Sequence, residues 1–197
     1  MTILGSWLLA DLLAVLGAWL LADLLTGAVH WFEDRYMDKF RFKLSVLDSI
    51  ARDNDLHHQK PTAMLLSSGW VNMRFSAAVG WPIAALLWLT GFPYVVCFVP
   101  FFAGFGNLIH RWGHTPKAQL PRWIRGLQEF GIFISQGHHD SHHRSMDGLI
   151  PKHIAGYRFC PMTDLVNPVV DALRFWKLLE FLLACVGLET TESRGLK

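Results

Sequence analysis

The stretch Phe75 to Ile109, FSAAVGWPIAALLWLTGFPYVVCFVPFFAGFGNLI, carries no charged residue in 35 positions. One membrane-crossing helix needs about 20 apolar residues, so this run is too long for one span and just long enough for two short ones. The turn signal Gly91-Phe92-Pro93 divides it near the middle. The expected structure is a helical hairpin that starts and ends on the same side of a membrane. Gly104-x-Gly106, in the second arm, lacks the third glycine and the preceding strand of a nucleotide fingerprint, and reads as close helix packing.

Upstream, Ile3 to Val29 is apolar apart from Asp11 and Asp23 and is long enough to form a further span. A signal peptide would show basic residues before it and a small-residue cleavage site after a short core; the first basic residue is Arg35. Asp23, Gly27, His30 and Asp34 fall at i, i+4, i+7 and i+11, a polar stripe that must face protein or the aqueous boundary. Downstream, Leu120 to Gln136 places Trp123, Ile124, Leu127, Phe130 and Ile134 at amphipathic spacing beside Arg122, Arg125 and Glu129, as for a helix lying in the interface. Val169 to Leu188 is apolar but broken by Asp171, Arg174, Lys177 and Glu180, and reads as a second interfacial or peripheral helix, with a transmembrane helix as the weaker alternative. The expected fold is an all-α integral membrane protein, one domain over residues 1–197, with about three transmembrane helices plus interfacial amphipathic helices.

Composition agrees: 52% of residues are hydrophobic, 17% are charged, and there are nine Trp and 14 Phe. A net charge of +2 gives no reason to expect nucleic acid as a partner. Cys97, Cys160 and Cys185 form no C-x-x-C, which argues against a disulfide framework, a zinc ribbon or an iron–sulfur site. All 18 Lys and Arg lie in 35–74 and 111–197, so the positive-inside rule puts both stretches on the cytoplasmic side. All ten histidines lie in or at the membrane-proximal edge of those stretches.

The densest group is Gly137-His138-His139-Asp140-Ser141-His142-His143, four histidines in six residues. A lone His-His pair reads as a solvated turn; this crowding reads as a metal site, since neutral imidazole is the commonest metal ligand. His30, the pair His57 and His58, the pair His110 and His114, and His139, His142 and His143 make eight, with His138 and His153 as possible additions. Eight is the number for two metals rather than one. Asp53, four residues before His57, is expected behind that ligand, where a carboxylate can orient an imidazole. With carboxylates few and soft donors absent, nitrogen ligation at a membrane surface suits a pair of irons that activate dioxygen. A bis-histidine haem electron carrier remains a non-enzymatic alternative, and a lipid hydroxylase shares the di-iron chemistry.

The ordered boxes resemble a known family. Asp23-x-x-x-Gly27-x-x-His30-Trp31-x-x-Asp34, His57-His58-x-x-Pro61-Thr62-Ala63-Met64, Asn107-x-x-His110-x-Trp112-x-His114 with Leu120-Pro121-Arg122-Trp123 and Leu127-Gln128, and His139-x-x-His142-His143 with Tyr157 and Cys160 are similar to the Kua-type lipid desaturases. That family comprises plasmanylethanolamine desaturases with their bacterial and plastid relatives. The resemblance implies a multi-pass membrane enzyme with two iron ions held by the eight histidines and O2 as co-substrate, and it places Asp34 and Asn107, as members of the boxes, behind the ligands. An external electron donor, cytochrome b5- or ferredoxin-like, would deliver two electrons, and the substrate would be a membrane lipid. The products implied are the vinyl ether bond of plasmalogens or, in the other branch, a double bond in a phospholipid acyl chain. Three features depart from the family pattern: Leu108 replaces a glutamine, about ten residues around 147–156 look inserted, and Asp164-Leu165 replaces Gly-Trp.

Overall fold

Helix α1, Ile3–Tyr36, is a single 34-residue rod with two different halves. In its first half Trp7, Leu8, Leu12 and Leu13 are each more than half exposed. Large apolar side chains bare in this way on a long helix suit lipid as the surrounding solvent. In its second half Ala22, Asp23, His30, Trp31 and Asp34 are buried. The computed structural model describes residues 3–37, 45–146, 149 and 157–193. His153 and the inserted-looking segment around 147–156 thus lie almost wholly outside the described residues.

The remaining helices are α2 (Ser45–Gln59), α3 (Gly69–Leu89), α4 (Tyr94–Ala103), α5 (Gly106–His114), α6 (Arg122–Glu129), α7 (Gln136–Met146), α8 (Val166–Ala172) and α9 (Phe175–Cys185). Short 3-10 turns cover Pro61–Leu66 and Lys117–Gln119. Helices α3 and α4 form the hairpin read from the sequence, turning at Gly91, whose φ of 82° is open to glycine without strain. The arms touch backbone to backbone: a Cβ on Gly80 would strike the Pro100 carbonyl, and one on Gly104 would strike the Trp81 indole. The Ser76 hydroxyl donates to the Gly104 carbonyl at 2.9 Å and pins the same crossing. Gly104-x-Gly106 is therefore a packing device, with Gly106 set against Thr26 of α1.

Among the described residues, α1 is by itself long and apolar enough to cross a membrane, and α4 and α5 reach that measure as a pair bent by 44°. Of the three spans expected from the sequence, one helix and one bent pair thus have the length and composition to cross. The difference lies in α3. Its first turns carry Asn72 and Arg74, leaving the uncharged run Phe75–Leu89, about 22 Å of helix against a hydrocarbon core of about 30 Å. The bend between α4 and α5 follows Pro100, which cannot donate to Val96 and whose ring crowds that turn.

Two other helices are shorter than their periodicity predicts. Helix α6 stops at Glu129 because Gly131 takes φ 70° and its N–H turns back to the Gln128 carbonyl at 3.0 Å. Ile134 then packs into the core from the link to α7. The C-terminal apolar segment breaks into α8 and α9 at Arg174, which adopts φ 54°. Leu178, Phe181 and Leu182 of α9 are exposed while Trp176 is buried.

The last third of the chain is held to α1 by polar groups. Asp23, fully buried, accepts from Met162 N at 2.7 Å, Thr163 N at 3.2 Å and Thr163 Oγ1 at 2.7 Å. One turn on, Gly27 lets the backbone of Cys160 lie directly on α1. Trp31 stacks on Trp176 at 6.0 Å, and Arg35 pairs with Glu180 at 2.8 Å and Glu192 at 2.6 Å. Asp23→Ala would leave three buried donors without their acceptor, at about 1–3 kcal/mol for each unsatisfied group. We expect it to lower the thermal midpoint in detergent clearly more than Asp11→Ala does, measured by intrinsic tryptophan fluorescence.

Candidate metal centre

Four helices deliver imidazoles to one end of the bundle. Helix periodicity decides which ring goes where: residues four apart share a face, whereas neighbours in sequence diverge by about 100°. His110 and His114 on α5, and His139 and His143 on α7, therefore point together. With His57 of α2 they form a buried group whose ligand atoms all lie within 4.8 Å of one another. The adjacent residues His58 and His142 turn aside and join His30 and Asp34 in a second group of the same compactness. The two groups touch, with the His30 and His110 ring centres 5.2 Å apart.

In the five-histidine group, successive Nε2 atoms from His114 to His110, to His139 and to His143 are 3.3, 2.7 and 3.2 Å apart. Each Nε2 offers one in-plane position, an N–H or a lone pair, so three successive contacts cannot all be hydrogen bonds. Both ring nitrogens of His57, and Nδ1 of His139 and His143, are buried with no hydrogen-bond partner. Burial, reinforced by the neighbouring imidazoles, pushes His57 down to about 2 and holds His139 and His143 well below the usual histidine range. The rings are therefore neutral, the form in which imidazole binds metal. Ligands at about 2.1 Å and right angles would be about 3 Å apart, which is the spacing found here.

The second group is oriented from behind. His30 Nδ1 donates to the Phe159 carbonyl at 3.0 Å and His142 Nδ1 to the Tyr157 carbonyl at 2.7 Å. This backing fixes the tautomer and leaves Nε2 of each ring facing inward with a lone pair. The Asp34 carboxylate lies 2.8 Å from His58 Nε2, 3.3 Å from His142 Nε2 and 3.6 Å from His30 Nε2. Asp34 thus stands among the donors, not behind them as its place in the sequence pattern suggested. The two groups fit two cations, one in an all-nitrogen set and one in three nitrogens plus a carboxylate.

Other sequence candidates fall outside this core. Asp53 is exposed and makes no hydrogen bond to His57; the next residue, Asn54, donates instead to Asp34 Oδ1 at 3.0 Å. Asn107 is exposed on α5, since a three-residue offset from His110 carried it past the buried edge. His138 is in neither group. Its Nε2 meets Asn167 at 3.1 Å, its Nδ1 lies 3.7 Å from Asp164, and burial pushes it down to about 4. An apolar groove of about 600 Å³ runs between α1, α3 and α4, lined by Leu21, Leu25, Ile83, Leu87 and Val99 among others. At 100° per residue, its α1 side chains lie on the face opposite His30 and Asp34, so it does not lead to the donors.

The sequence model described as the lipid desaturase domain matches residues 19–192. The chain is 30% identical over 162 residues to fatty acid desaturase 4-like 2, chloroplastic, of Arabidopsis thaliana, covering 80% of this chain and 54% of that protein. It is also 30% identical over 106 residues to plasmanylethanolamine desaturase 1 of Mus musculus, covering 51% of this chain and 35% of the mouse protein. The chain thus spans about half the length of the plant relative or less than that of the mouse one. No solved structure matches it. Metal-free protein titrated with cobalt(II) is expected to bind roughly two equivalents, and His110→Ala or His58→Ala roughly one each, read by calorimetry. Chelator-stripped protein is expected to melt below the metal-loaded form, because the cation binds only the folded arrangement.

Proposed function

Because the chain belongs to the lipid desaturase family, an oxidoreductase family acting on lipid, we propose that it is a membrane di-iron desaturase. The observation that supports this most is the pair of adjoining buried donor groups, eight histidines and one carboxylate without a cysteine. His57, His110, His114, His139 and His143 would hold one iron, and His30, His58, His142 and Asp34 the other. Such a pair supplies dioxygen activation, an oxidant strong enough for an unactivated C–H bond. The balanced reaction takes two hydrogens from adjacent carbons of the chain, with O2, two electrons and two protons, and yields a carbon–carbon double bond and two waters.

The protein's part is positioning and exclusion. The Phe159 and Tyr157 carbonyls keep Nε2 of His30 and His142 turned inward, and Asn54 fixes one oxygen of Asp34. The rings of Trp31, Phe159 and Trp176 form an apolar wall behind His30 and His142 that keeps bulk water from the back of the site. Electrons would come from an external carrier of cytochrome b5 or ferredoxin type, as the family resemblance implies.

For the substrate, the vinyl ether reading rests on the mouse relative and on the four ordered boxes. A desaturated phospholipid acyl chain is the second reading, supported by the longer match to the plant relative. Expression in a host lacking both lipid types, followed by lipid mass spectrometry, separates them. A loss of two hydrogens with acid-labile chains indicates the vinyl ether; a loss of two hydrogens with acid-stable chains indicates acyl desaturation. Gain of an oxygen atom instead would overturn desaturation in favour of hydroxylation. His139→Ala is expected to reduce product at least 100-fold while the protein still inserts, and purified wild type is expected to carry roughly two irons by metal analysis.

A further inference from the structure

The segment Tyr157–Cys160 backs one donor group only. Its carbonyls at Tyr157 and Phe159 orient His142 and His30, and no hydrogen bond in the described residues links it to His57, His110, His114, His139 or His143. Between those two carbonyls Arg158 takes φ 53°, a left-handed conformation costing on the order of 1 kcal/mol or more for a residue with a Cβ. A strained residue persists only where its surroundings hold it.

Helix α8 supplies the hold. Asn167 and Asp171 lie four residues apart, on one face of that helix. Asn167, fully buried, accepts from Cys160 N at 2.9 Å and donates to Cys160 O at 2.8 Å, a two-point grip on the residue after Phe159. Asp171 accepts from Arg158 N at 3.2 Å and also from the backbone of Tyr157. From the α7 side, the Arg158 guanidinium donates to Ser141 Oγ, which itself donates to the His138 carbonyl at 2.7 Å. Both inward carbonyls are thereby fixed from flanking peptides.

We infer that Asn167 and Asp171 are positioning residues for the metal position of His30, His58, His142 and Asp34, acting through the Tyr157–Cys160 strap; toward the five-histidine group Asn167 reaches only His138, which belongs to neither group. The inference rests on the reading of the two donor groups as metal positions. The strap's grip turns a generic fold contact into a selective control: loosening it frees the Nδ1 partners of two rings in one group and of none in the other. Lost outer hydrogen bonds of this kind weaken metal binding roughly 10–100-fold.

The test uses cobalt(II) titration of the detergent-solubilised 197-residue chain in two backgrounds. In His110→Ala, where the four-residue group remains, Asn167→Ala and Asp171→Ala should each weaken the remaining equivalent roughly 10–100-fold. In His58→Ala, where the five-histidine group remains, the same substitutions should leave it within about twofold, which also shows that the variants fold. Asp171→Asn keeps an acceptor oxygen and should restore most of the affinity lost by Asp171→Ala. Equal weakening in both backgrounds, or none in either, overturns the inference while leaving the metal reading standing. Failure of the wild type to bind two equivalents overturns the metal reading itself, and the inference with it.

Discussion

Imidazole lone pairs crowded together attract a cation, and the architecture of this chain follows from gathering eight imidazoles with one carboxylate at one end of the bundle. No arrangement of protons satisfies the Nε2 chain from His114 to His143, because the His110 and His139 nitrogens each offer one position to two neighbours. A cation takes every lone pair at once. The same burial that would make a charged histidine costly keeps these rings unprotonated and available. Metal affinity and fold are therefore coupled: the helices pay in unsatisfied donors what the ion returns in coordination.

Around that centre, apolar and polar forces are divided along α1. Its outer half presents exposed leucines and Trp7, a surface suited to lipid, and touches the rest of the chain through Asp11, which accepts from the Tyr94 hydroxyl, and through Trp19 against Phe102. Its inner half organises everything else: Asp23 holds the 162–163 turn, Gly27 admits Cys160, His30 and Asp34 enter the centre, Trp31 meets Trp176, and Arg35 anchors Glu180 and Glu192. These contacts repeat at three- and four-residue intervals, so one helical face carries the register of the whole C-terminal third. The strap and α8 then act back on that face through His30.

Much of this was legible in the residues. The hairpin followed from charge-free length and Gly91, the histidines from their density, and the burial of the Asp23–Asp34 stripe from the cost of exposing carboxylates to lipid. The misreadings share one cause. Asp53 was placed by its spacing from His57 and Asn107 by its box with His110, and neither pattern says which face of a helix turns inward. The long amphipathic segment before α7 ended early because Gly131 takes a positive φ that periodicity cannot see. Arg74 and Asn72 shortened the apolar reach of α3 in the same way, as local residues overriding a regional pattern.

By itself the sequence determined the donor chemistry, the helical class and the convergence of histidines on one end of the apolar helices, because these depend on residue type and on 3.6-residue periodicity. Only the tertiary structure decided the partition. It sent His57 and His58, and again His142 and His143, to different groups, brought Asp34 in among the donors, and set Asn167 and Asp171 behind two rings from more than a hundred residues away along the chain from His30. Adjacent residues on a helix point about 100° apart, and what lies in each direction is fixed by helices packed from elsewhere in the chain.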